Sequence, residues 1–272
     1  MTPAEPAGAA PDGVIVVDKP TGVTSHDVVA AARRRLGRGV KVGHAGTLDP
    51  FATGLLLLLV GRATRVQRFL MALPKAYETE VRLGWTSTTG DRDGEVVPGR
   101  MPAEPLHLPT GRLRQRPPAY SAVKVGGQRA YELARRGEEV ELAERDVEVT
   151  SFKLLWRAGE RAGLGIECSS GTYVRALVSG LQDAYCLELC RTRIGAFDVA
   201  QADPERILPL AEALDFLPAV ALSDDEGRRA GHGQALPGHA EGTVRLCDSD
   251  GLVALAEERS DGLLKPIVGF RG

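Results

Sequence analysis

The chain has 272 residues, 43% hydrophobic and 26% charged, enough for one large or two unequal globular domains. Four cysteines without a C-x-x-C pair argue against a disulfide scaffold or a zinc ribbon, and no apolar run approaches the roughly 20 residues that cross a bilayer. The net charge of −2 excludes a uniformly basic nucleic-acid binder, yet the charge is uneven: residues 1–200 hold 27 Lys and Arg against 23 Asp and Glu, and residues 201–272 hold 7 against 13.

Residues 1–12, rich in Ala and Pro, read as a disordered lead-in. Residues 14–17 predict a short buried strand. Ser25, His26 and Asp27 offer an N-cap for a helix over residues 28–36, which Gly37 ends. The stretch Gly43-His44-Ala45-Gly46-Thr47-Leu48-Asp49-Pro50-Phe51-Ala52-Thr53-Gly54 follows. Its glycines admit tight backbone and close approach of another molecule, and Pro50 biases Leu48 and Asp49 toward an extended geometry. The apolar run of residues 55–60 predicts a buried strand, so Asp49 sits beside the core. On local chemistry Asp49 is either a nucleophile or base or a turn aspartate bonded to its own backbone.

Residues 65–71 predict a helical turn and residues 77–83 a half-buried strand, with Tyr77, Thr79, Val81 and Leu83 on one face. Residues 86–94 form a turn whose Asp91-Arg92-Asp93-Gly94 lacks the later ligands of a calcium loop. A proline-rich connection covers residues 96–118, with a short helix or strand inside 106–113. A helix is expected over 130–136 and a strand pair over 146–156 and 163–169. Residues 172–184 run from a strand or turn into a helix, which brings Tyr173 and Arg175 to a junction. Cys186 and Cys190 would share a helix face if that segment is helical; as buried thiols they need no metal. The elements predict an α+β fold, a mixed sheet with helices packed on it. No G-x-G-x-x-G or G-x-x-x-x-G-K-[ST] is present, so no nucleotide cofactor is implied. Near Pro218 the composition turns acidic and Gly-rich, with short strands at 243–247, 252–257 and 264–270. The expected division is a main domain over 13–218 and a small β-domain over 219–272.

Basic residues cluster at Arg33, Arg34, Arg35, Arg38 and Lys41; at Arg62, Arg65 and Arg68; at Arg112, Arg114 and Arg116; and at Arg129, Arg135 and Arg136. Each cluster alone reads as a solvated face, but four in one half of the chain point to phosphate contacts.

Several motifs recur in one order: GVIVVDKPTGV at 13–23, GHAGTLDPFATG at 43–54, Lys75-Ala76-Tyr77, TSTTGDRDG at 86–94, PPAYSAVK at 117–124, CSSGTYVR at 168–175 and RTRIG at 191–195. Together they resemble the TruB-type pseudouridine synthase family over about residues 13–200. The resemblance implies the pseudouridine synthase fold, with a mostly antiparallel central sheet and a reduced or divergent PUA-like C-terminal domain. It implies isomerisation of uridine 55 in the T-loop of tRNA, by base flipping and without cofactor or metal. Asp49 would be the essential carboxylate. Tyr77 would stack on the target base, Arg175 would pair with the carboxylate, and Tyr173 and Ile194 would line the pocket. His44 would fill the vacated stack, and Lys19 would be a phosphate or structural contact. Ser87 stands where the family often has Asp, and Ser169-Ser170 replaces a basic residue of some relatives. A monomer that needs no protein partner and no membrane, in the cytoplasm, is expected. The rival readings are a catalytically inactive tRNA-binding or folding chaperone, and a carboxylate-dependent glycosidase, against which stands the lack of a second carboxylate paired near Asp49.

Overall fold

A computed structural model describes residues 12–121, 123–138, 140 and 142–271. The expected lead-in over residues 1–12 therefore lies, except for Asp12, outside the described residues. Among the described residues the main body is a ten-stranded mixed sheet. Its path runs Asp203–Pro209, Gly13–Lys19, Thr53–Val60, Ala184–Ile194, Lys75–Leu83, Arg161–Cys168, Arg145–Ala158 and Gly111–Gln115. Most neighbours are antiparallel, with helices few and short, as an α+β fold requires.

The Thr53–Val60 strand is buried along nearly its whole length because both its faces are covered. Leu55, Leu57 and Leu59 join a core with Val14, Ile194, Leu210 and Leu255. Leu56, Leu58 and Val60 join another with Val29 and Ala32 of the Ser25–Leu36 helix. Each such leucine contributes about 1.5–3 kcal/mol by leaving water. The helix is capped one residue earlier than the sequence predicts. The Thr24 hydroxyl accepts from the Asp27 N–H at 3.1 Å, and the Asp27 carboxylate accepts the Thr24 N–H at 2.8 Å, which completes a capping box. Ser25 is thereby free for another task, described below.

One edge of the Thr53–Val60 strand has two partners. Val42–Ala45 pairs with its residues Leu57 to Val60, and Ala184–Ile194 meets Thr53 and Gly54 in parallel through Cys190 and Arg191. The sheet is split at that point, and the loop bearing Asp49 emerges there.

The expected helix over 172–184 is shorter: it spans Val174–Ser179 and stops at Gly180. Ala184–Ile194 is instead a central strand, paired with Lys75–Leu83 along its whole length. Cys186 and Cys190 are strand residues, so no helix face unites them. Long-range pairing with the Lys75–Leu83 strand, not local pattern, decides this segment. All four thiols are free, and burial pushes Cys186 up to about 12.

A second, five-stranded sheet is built from Ala219–Ala221, Thr243–Asp248, Gly251–Glu258, Leu263–Gly269 and Leu236–Pro237. It docks on the main body through Leu255, Val268 and Phe270. The basic cluster at 62–68 serves this contact. Arg62 donates to the Phe270 carbonyl, Arg65 donates to that of Gly269 at 2.7 Å, and Arg68 lies 3.7 Å from Glu257. These arginines hold the acidic C-terminal sheet while their side chains stay exposed.

Candidate active site

Asp49 sits in a loop fastened on both sides. The Leu48 N–H donates to Ser25 Oγ at 2.9 Å, and the Gly22 N–H donates to the Pro50 carbonyl at 2.8 Å. Thr21 Oγ1 donates to the Phe51 carbonyl at 2.9 Å. Leu48, Phe51 and Ala52 sink into the core that also holds Tyr77 and Val174. The loop is thus rigid although it carries glycines. Gly54 is needed for shape: its φ is +99°, and a Cβ there would press into the Arg191 backbone, 2.7 Å from its nitrogen. Gly54→Ala is expected to cost more than about 2 kcal/mol. A thermal melt matching wild type would contradict this close approach of the two strands.

Arg175, 3% exposed, gathers three segments around Asp49. Its Nε lies 2.9 Å from Asp49 Oδ2, and its Nη1 lies 3.2 Å from Asp91 Oδ2. Nη1 also donates to the Thr89 carbonyl at 2.6 Å, and Nη2 donates to that of Tyr120 at 2.7 Å. The pair thus keeps a buried cation directly against Asp49. The Asp49 side chain is 31% exposed while that of Asp91 is 7% exposed, so Asp49 is the carboxylate that can meet a substrate. Desolvation by the pocket walls raises the Asp49 carboxyl above the usual Asp range; the Arg175 charge opposes this and the like charge of Asp91 reinforces it.

Asp91, which the sequence alone places in a plain turn, belongs to the site. Its Oδ1 accepts from Thr89 Oγ1 at 2.5 Å and from the Asp93 N–H at 3.1 Å. The signal was the Thr86–Gly94 motif itself, but its partner Arg175 lies far along the chain. A second carboxylate therefore does stand near Asp49, across a shared guanidinium. Its burial and fixed bonds make it an orienting group, not the acid or base of a glycosidase pair. Ser87 bonds the same turn, donating to the Asp91 carbonyl at 2.5 Å.

The other expected residues fall into two groups. Tyr77 lies on the Lys75–Leu83 strand in the same core as Leu48 and Phe51, and burial raises its phenol above the usual range while the Arg191 charge opposes. Tyr173 caps the Val174–Ser179 helix, its backbone held from both sides by Gln115 at 2.8 and 3.0 Å. The Arg145 guanidinium lies 4.6 Å from its ring centroid. His44 lies on the Val42–Ala45 strand, edge-on to His26 with ring centroids 5.4 Å apart. Burial, with the charges of His26 and Arg191, lowers its pKa, so the imidazole is neutral near pH 7. Its buried Nδ1 has no hydrogen-bond partner among the described residues.

Lys19 takes the structural one of its two expected roles, and Ile194 is placed differently from the expectation. Lys19 is fully buried, and its ammonium donates to the carbonyls of Pro20, Val23 and Pro50 at 2.8, 2.9 and 3.3 Å. It ties the N-terminal loop to the Asp49 loop and has no surface for a phosphate. Burial lowers its pKa to about 8, with the Asp49 charge opposing. Ile194 is fully buried among Leu55, Ala45 and Val14, which is packing, not an accessible pocket wall. Among the described residues no cluster of His, Cys, Asp and Glu could hold a metal ion.

Outside the pocket, Arg33 donates to the Val42 carbonyl at 2.5 Å and Arg35 pairs with Glu205. Arg34 and Arg38 border an open concavity of about 480 Å³ beside Gly37 and Gly39. Arg112 and Arg114 face outward on the edge strand Gly111–Gln115, with Arg114 3.1 Å from Glu144.

Residues 33–174 match the model described as the TruB family pseudouridylate synthase, N-terminal domain. The chain is 43% identical to a tRNA pseudouridine synthase B of Thermobifida fusca, over 96% of this chain and 99% of that one. It is 40% identical to the protein of that name in Mycobacterium tuberculosis, over 93% and 96%. In fold it is similar to a chain of a Cbf5–Nop10–Gar1 complex, with a TM-score of 0.68 and 27% identity over 90% of this chain and 78% of that one. It is also similar to a chain of an H/ACA ribonucleoprotein bound to a substrate RNA containing 2′-deoxyuridine, with a TM-score of 0.72 and 23% identity over 96% and 85%.

Proposed function

The chain belongs to the TruB family of pseudouridylate synthases, and on that premise we propose that it converts uridine to pseudouridine in tRNA, at position 55 of the T-loop. The observation that carries this is the accessible Asp49 carboxylate, backed by buried Arg175 and Asp91. The reaction breaks the N1–C1′ bond, turns the base and joins C5 to C1′, with a proton leaving C5. Asp49 is the group that attacks the nucleotide or takes its proton. Tyr77 meets the base and Tyr173 borders it. His44 presents a flat ring beside the Asp49 loop, which suits a place among RNA bases once the target is extruded. An inactive binder would have no need of a carboxylate held half open against a buried guanidinium.

Purified protein incubated with an unmodified tRNA transcript tests the reading. Carbodiimide labelling and primer extension should give one new stop, at the T-loop uridine. A stop elsewhere would overturn the assigned position, and none would overturn the activity of the chain acting alone.

Of the basic groups, Arg34, Arg38 and Lys41 have no ion-pair partner within reach among the described residues and are assigned to RNA phosphates. Neutralising all three with Gln should weaken tRNA binding and reduce its salt dependence by about 0.7–0.9 per lost contact. An unchanged slope would move the RNA surface elsewhere.

A further inference from the structure

Arg191, the first residue of the RTRIG motif, is a buried cation that the chemistry above does not use. It is 1% exposed. Two residues along the same strand, Arg193 pairs with Glu167 at 2.8 Å, but among the described residues no carboxylate lies within ion-pair reach of Arg191. Its neighbours add to the burden. Burial, reinforced by the Arg191 charge, holds both Lys19 and Lys75 down to about 8. A buried charge without a counter-ion is costly, so stability alone does not account for a guanidinium here.

Its hydrogen bonds do account for it. Nε donates to the Leu55 carbonyl at 2.7 Å and Nη2 donates to that of Gly46 at 3.1 Å. Gly46 and Leu55 are the two ends of the Asp49 loop. The Arg191 backbone abuts Gly54, the parallel partner of Arg191 across the split in the sheet. On its other side Arg191 is the direct cross-strand partner of Tyr77, and its charge acts on the Tyr77 phenol. A planar fork fixes the directions of its donors, which the point charge of an ammonium does not.

We propose that Arg191 is a positioning residue for the isomerisation: one guanidinium staples both ends of the Asp49 loop from the strand position that faces Tyr77, so that carboxylate and phenol meet the nucleotide in a preset arrangement. The proposal rests on the isomerase reading above. It makes Arg191 act on the chemical step rather than on RNA binding, because it lies behind both groups and has no surface of its own.

The test compares wild type, Arg191→Lys and Arg191→Gln in single-turnover release of tritium from a tRNA transcript labelled at uridine C5, across pH. Lys keeps the charge but loses the fork; Gln carries no buried charge, so it serves if Lys leaves the chain unfolded. Both variants should bind tRNA as wild type does, and release should slow about 10²-fold, as misplacement by about 1 Å can cause. In Arg191→Gln the alkaline limb of the profile should move as well, as Tyr77 loses its cationic neighbour. A folded variant with the wild-type rate and an unmoved limb would overturn the proposal, as would a loss confined to tRNA affinity. No release by wild type would instead overturn the isomerase reading on which it rests.

Discussion

Replacing Asp49 by Asn is expected to slow single-turnover pseudouridine formation by about 10³-fold or more, with tRNA affinity near the wild-type value. The amide keeps the shape of the carboxyl, and the loop around it is held by the bonds of Leu48, Pro50 and Phe51, none of which uses the side chain. What disappears is the only accessible member of the Asp49–Arg175–Asp91 set. Because desolvation raises the carboxyl above its usual range, the reactive ionised form is populated only above that raised pKa. The acid limb of the wild-type profile should therefore lie above about pH 3.9, the ordinary Asp value. Activity of Asp49→Asn above about a hundredth of wild type would remove Asp49 from its role.

Arg175→Met is expected to be the most damaging single change to the fold, at about 3–5 kcal/mol. It leaves Asp49 and the buried Asp91 as like charges with no cation between them, and strips partners from the carbonyls of Thr89 and Tyr120. The melting temperature should fall by roughly 6–20 °C for a chain of this size. The loss should depend on pH. The guanidinium opposes the upward shift of Asp49, so removing it raises the folded-state pKa further. A carboxyl raised in the folded state stabilises below its unfolded pKa, and that stability is lost as pH rises through the folded value. The gap between variant and wild type should thus be smaller at about pH 5 than at about pH 8. A pH-independent gap would show that Arg175 acts through its carbonyl bonds alone.

Much of this site could be read from the residues, because local signals carried it. The glycines and Pro50 around Asp49, the leucine run after it and the alternation from Tyr77 to Leu83 are short-range features. The loop and both strands appear where those features put them. What could not be read depends on contacts between distant segments. Asp91 gains its meaning from Arg175, and Arg191 from Gly46, Leu55 and Tyr77. For Lys19 the motif leaves a phosphate and a structural contact both open; only folding shows three carbonyls closing over it. That the arginines at 62–68 also bond the C-terminal sheet shows only once that sheet is placed against them. The Ala184–Ile194 strand was hidden for the same reason, since its pairing with Lys75–Leu83 joins residues about a hundred positions apart.

The central claim is that this chain, unaided, breaks the C5–H bond of one uridine in tRNA at the Asp49 pocket. Its most direct test is tritium release from a transcript labelled at uridine C5, incubated with purified wild type, beside a transcript whose T-loop target is cytidine. The account predicts about one equivalent released per tRNA, and none above background from the cytidine transcript. No release by folded protein that binds tRNA, or equal release from both transcripts, would contradict it.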